Sequence, residues 1–168
     1  MNLKFSIALI ASVFLTACNS ITVGDDEIGN QVLERAMPQK GNIVDAKHGK
    51  ELWFAIGPMN GTKETPANGV ASGHFFEDKT SLVSIQLNIN VPEDGWFYRA
   101  SLEGDNGAPP LELGHLTNAR NDARHALRAE LPNDIRAYKR IAIYKQKDGA
   151  NAESAVRVGE GLLAVRER

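Results

Sequence analysis

The chain has one cysteine, Cys18, among 168 residues. A single thiol closes no intrachain disulfide and cannot build a cysteine-rich zinc site. An excess of positive charge is also missing. Nineteen Lys and Arg face twenty-one Asp and Glu, a net charge of −2, which excludes a general nucleic-acid binder. With 42% hydrophobic and 24% charged residues, the chain lacks the bias of a disordered one. Its most apolar stretch, Phe5 to Ala17, is thirteen residues long. That is short of the roughly 20 needed for a membrane-spanning helix. Familiar catalytic spacings are absent too. There is no Gly-x-Ser-x-Gly elbow and no His-Glu-x-x-His. The four histidines, His48, His74, His115 and His125, form no His-x-His or His-x₃-His pair.

What is present begins at the N-terminus. Lys4 is the only charge before an apolar segment that fits the core of a secretory signal. The segment ends Leu15-Thr16-Ala17-Cys18, which resembles the lipobox of bacterial lipoproteins. The resemblance implies that residues 1–17 are a signal peptide, removed once the Cys18 thiol carries a diacylglyceryl group. Cys18 would then be the mature N-terminus and would hold the protein on a lipid bilayer. Each buried methylene contributes about 0.8 kcal/mol, so two or three acyl chains anchor stably. The alternative is an ordinary cleavable signal or an uncleaved helix, with Cys18 a small apolar residue. Asn19 follows the cysteine where an Asp commonly retains lipoproteins in the inner membrane. The expected location is therefore the extracytoplasmic side of a bacterial envelope, on the outer membrane if the organism has one.

Residues 18–47 read as a lipidated N-terminus and tether, polar and carrying the acidic run Asp25-Asp26-Glu27. A short helix over Ile28 to Met37 fits the spacing of Val32, Leu33 and Ala36. Residues 48–168 read as a β domain. Trp53, Phe54 and Ile56 mark a first strand, stopped by Gly57-Pro58 and a turn at Asn60-Gly61. Val70 to Phe76 is a second. From Val83 to Val91 five β-favouring side chains alternate with Ser84, Gln86, Asn88 and Asn90, the mark of a half-buried strand. Pro92-Glu93-Asp94-Gly95 turns the chain. Trp96 to Glu103, Leu111 to His115, Lys139 to Lys145 and Val156 to Val165 follow as strands. Arg120 to Leu131 reads two ways. As a strand, Ala123, His125, Leu127, Ala129 and Leu131 alternate with polar positions, Ala126 excepted. As a helix, Ala119, Ala123, Ala126, Leu127 and Leu131 share a face, and the alanines favour that state.

No βαβ rhythm is present, so the expectation is all-β: a single antiparallel immunoglobulin-like β-sandwich. The order of segments adds a second resemblance. It is carried by Pro92-Glu93-Asp94-Gly95-Trp96-Phe97-Tyr98, Leu113-Gly114, Leu131-Pro132 with Tyr138, Ile141-Ala142-Ile143 and a final Val/Gly/Leu strand. This pattern resembles the extracytoplasmic C-terminal domain of RskA-type anti-sigma factors, which implies a β-sandwich and a role in envelope sensing or binding. The sigma-binding domain and central transmembrane helix of that family have no counterpart here, so anti-sigma activity is not implied.

The chemistry reads as non-catalytic. A hydrolase needs a nucleophile, a base and an orienting group, and Ser72-Gly73-His74 reads only as a turn-flanked tripeptide. His74, His115 and Met59 would meet as metal ligands only by accident of fold, so neither a metal nor a cofactor is expected. Charge is unevenly spread. Residues 120–147 hold eight basic side chains against Asp122, Glu130 and Asp134, a net of +5, whereas the rest of the mature chain has a net of −8. Arg124, Arg128, Arg136, Lys139 and Arg140 are the candidate contacts for an anionic envelope partner. The plainer alternative makes them the solvated faces of two neighbouring strands. The rivals to a binding or sensing module are a structural or assembly lipoprotein, an envelope enzyme and a metal carrier.

Overall fold

The computed structural model describes residues 43–104, 108–118 and 122–167. The signal segment, Cys18, Asn19, the acidic run and the short helix expected over 28–37 lie outside the described residues. The rest is all-β. Ten strands follow in order: β1 (Val44–Asp45), β2 (Gly49–Gly61), β3 (Ala67–Phe76), β4 (Ser81–Ile89), β5 (Trp96–Gly104), β6 (Leu111–His115), β7 (Arg124–Leu131), β8 (Tyr138–Lys147), β9 (Val156–Leu162) and β10 (Ala164–Val165). The sheet begins at Val44, ahead of the expected domain boundary at residue 48.

Pairing is antiparallel throughout, in the order β6-β5-β8-β9-β2-β3-β4-β7, with β1 and β10 also on β2. The two ends of this series come together. Thr117 and Ala126 exchange backbone hydrogen bonds of 2.8 and 2.9 Å, so the segment after β6 meets β7. Hydrogen bonding thus runs as one continuous curled wall, nearly a barrel, and the division into two sheets is not drawn by it.

The alternation read from β4 places its side chains as expected. Val83, Ile85, Leu87 and Ile89 are almost fully buried. They pack with Tyr98, Ala100 and Leu102 of β5 and Ile141 and Ile143 of β8. Each buried aliphatic side chain contributes roughly 1.5–3 kcal/mol. Val91, the fifth apolar residue of that pattern, falls beyond β4 and is exposed.

One open reading is settled and two expectations change. Residues 124–131 are a strand, β7, and not a helix. All eight pair with β4, from Ser81–Leu131 to Asn88–Arg124, and that ladder outweighs the modest helix preference of alanine. Gly57-Pro58 does not stop β2. These two residues fall between the Ile56–Ala164 and Met59–Gly161 pairs, where β2 changes partner from β10 to β9. A proline, having no N–H, is accommodated at such an interruption. Finally, Val156 to Val165 splits at Leu163, whose N–H bonds to the Lys139 carbonyl on β8.

Candidate functional site

The β7 strand sets out a groove on the outer face of the wall. Its alternation turns His125 and Ala129 inward and leaves Arg124, Ala126, Arg128 and Glu130 exposed. Register then builds cross-strand rows. Val70, Gln86 and Ala126 stand side by side on β3, β4 and β7, and so do Ser72, Ser84 and Arg128. Ala126 is short, so the backbone beside it is open. Two adjoining hollows of about 350 and 420 Å³ meet there and share Gln86 and Ala126. Polar side chains border them: Ser84, Thr117, Gln86 and Asn88, the last donating to Asn68 at 3.1 Å. Arg124 and Arg128 line the groove, and among the described residues no carboxylate does.

The five basic candidates do not converge. Arg124 and Arg128 share the β7 face. Arg124 is bonded to Asp122, which raises the pKa of its guanidinium, whereas Arg128 makes no ion pair among the described residues. Arg136 sits in the β7–β8 connection, bonded to Asp134 at 2.6 Å and lying 4.4 Å over the Phe75 ring. The guanidinium holds Asp134 below the usual carboxylate range. Lys139 and Arg140 lie on β8, which pairs with β5 and β9 and not with β7. Arg140 faces Glu160 at 3.3 Å. The net charge of +5 along the sequence is therefore dispersed, and much of it is met by local acids.

The four histidines occupy separate settings, His115 on β6 lying exposed with its ring 4.2 Å from that of Phe97. His48, 5% exposed, has Nδ1 2.8 Å from Asp78 and Nε2 3.6 Å from Glu130, and Glu130 also holds Lys47 at 2.7 Å. His125 is buried at the opposite end of the wall. Its Nδ1 donates to the Ala123 carbonyl at 3.1 Å, and its ring meets Tyr98 edge-on. Beside it a hollow of about 280 Å³ opens under Glu93, Trp96 and Phe97. The Lys145 ammonium already bonds Glu93 there and lies 5.1 Å over Trp96. His74 stands between Glu51 and Ser72, with Nδ1 2.5 Å from Glu51 Oε1 and Nε2 3.2 Å from Ser72 Oγ. Ser72-Gly73-His74 is thus mid-strand in β3, not turn-flanked. Its partner Glu51 comes from β2, 23 residues before His74, and no spacing rule links them. Met59 is buried inside the wall while His74 faces outward, so the three residues considered as metal ligands are not gathered. Among the described residues no three His, Cys, Asp or Glu are grouped to hold a metal ion.

No family model, curated protein or solved structure matches this chain.

Proposed function

We propose that the protein is a lipid-anchored envelope module that binds an anionic, hydroxyl-rich polymer through the β3–β4–β7 groove. The observation that carries the reading is the lining of that groove. It combines two guanidiniums, that of Arg124 also bonded to Asp122, with amide and hydroxyl side chains, and no carboxylate among the described residues lines it. Guanidinium suits carboxylate or phosphate groups. Side-chain amides both donate and accept, which suits paired hydroxyls. Arg124 and Arg128 are four residues apart on one strand, about 13 Å at the usual rise, so they would engage successive charges of a chain better than one small ion. The lipobox-like Leu15-Thr16-Ala17-Cys18 and the resemblance to an extracytoplasmic anti-sigma domain support the envelope setting. They also favour the outer membrane where one exists.

Binding of full-length protein in detergent to polygalacturonate, at low salt, tests this. Wild type should bind, and Arg128→Glu should bind about tenfold more weakly, the loss expected for one charge-assisted contact of about 1.4 kcal/mol. Binding should fade as salt rises, because exposed charges are screened over about 8 Å at physiological ionic strength. A wild type that ignores the polymer and retains anionic vesicles would redirect the groove to lipid headgroups. Retention of neither would return Arg124 and Arg128 to solvated side chains.

A further inference from the structure

We infer that Ser72, His74 and Glu51 form a hydrolytic relay on the outer face of the wall, acting on carboxylic esters. The inference goes beyond polymer binding and stands on separate side chains.

The relay follows from strand periodicity. Ser72 and His74 are two apart on β3 and so share a face, and Glu51 reaches them from β2. The Glu51 carboxylate can only accept, so His74 Nδ1 carries the hydrogen of the 2.5 Å contact. In the neutral ring Nε2 holds a lone pair, to which the Ser72 hydroxyl, 3.2 Å away, can donate. Nucleophile, base and orienting acid stand in the order that activates a serine. Among the described residues His74 is the one histidine that joins a hydroxyl to a carboxylate. The Glu51 side chain is 4% exposed and that of His74 21%. The imidazole is walled by Phe54 at 5.0 Å and stacked on Phe76 at 6.2 Å, which fixes its orientation.

Register suggests the substrate. Ser84 stands beside Ser72, and Arg128 beside Ser84. Arg128 is thus two strand spacings from Ser72, about 10 Å. An ester carrying an anionic group at about that distance would reach both, a detail that rests on the groove proposed above. Ser72 Oγ attacks the carbonyl carbon and its proton passes to His74 Nε2. The carbon–oxygen bond to the alcohol then breaks, and that proton leaves on the alcohol. Water attacks the acyl-Ser72 ester, giving one proton through His74 back to Ser72 Oγ as the carboxylic acid departs. Backbone N–H groups around Ser72 belong to the β2–β3–β4 ladders. Ser84, across the β3–β4 register from Ser72, would have to supply the oxyanion donor through its hydroxyl. With no pair of free backbone donors, turnover should be slow.

The test treats the full-length protein with a fluorophosphonate and maps the adduct by mass spectrometry. Wild type should be labelled on Ser72. His74→Ala should label at least about 100-fold more slowly, since a positioned base contributes 10²–10⁴-fold. Glu51→Gln, which alters a positioning residue, should lower kcat for p-nitrophenyl butyrate with little change in KM. An unlabelled Ser72 in folded wild type, or labelling indifferent to His74→Ala, overturns the relay. No polymer is present in this assay, so its failure is distinct from failure of the groove.

Discussion

Gly57 shows how little space the wall leaves at single residues. A Cβ built there would lie 1.8 Å from the Leu162 carbonyl oxygen. Backbone cannot yield as a flexible side chain can, so Gly57→Ala should cost at least about 1–3 kcal/mol, read as a lower urea midpoint. Glycine suits β2 there because of a close approach from β9, which the sequence shows only as a presumed strand stop. Ile141, fully buried between β5 and β9, gives the complementary case. Ile141→Ala should cost about 2–5 kcal/mol by lost transfer energy plus a cavity, and the same titration checks it. The sequence placed Ile141 in a strand, but its burial, shared with Ala142 and Ile143, depends on neighbours on both sides of β8. The Ser72–His74–Glu51 contact was not legible, because it depends on the offset between β2 and β3, which includes an irregularity between Glu51 and Trp53.

At the scale of elements, the β1–β2 hairpin is tied down by carboxylates. Asp45 accepts the backbone N–H of Lys47 and of His48. These bonds hold its pKa below the usual range, the Lys47 bond foremost. Asp78 is held low chiefly by the His48 side chain, and Glu130 chiefly by Lys47. Each folded pKa lies below the unfolded value near 4. The stabilisation is therefore present above about pH 4 and is lost as pH falls through the lowered folded values. The urea midpoint should fall between pH 6 and pH 3. The double variant Asp45→Asn, Asp78→Asn should start lower and decline less. An unchanged slope would show that the hairpin carboxylates do not report on stability. Half of this hairpin was read as tether, because Val44–Asp45 is too short to show a period of its own. The β7 strand was ambiguous for a different reason. Alanine-rich alternation satisfies both periods, and only the partner β4 decides between them.

For the whole molecule, residues 43–168 expressed alone should fold and give a β-dominated far-UV spectrum. Helix above about one-third, the level of an ordinary mixed domain, would contradict the fold. Cys18→Ser should leave that domain unchanged and abolish fatty-acid labelling of the full-length protein, since a serine hydroxyl is far less nucleophilic than a thiolate. Equal labelling of both forms would defeat the lipid anchor. The sequence by itself determined the all-β class, the approximate positions of most strands and the inward face of β4. These follow from local alternation and turn residues, which act over a few positions. Tertiary structure alone decided that β7 is a strand. It also dispersed the basic segment, whose members Arg128 and Arg140 stand on strands that do not pair, and it set His74 between Ser72 and Glu51. Those outcomes depend on which strands become neighbours and in what register. Both are fixed by burying one shared core and closing the wall at Thr117–Ala126, not by any local run of residues.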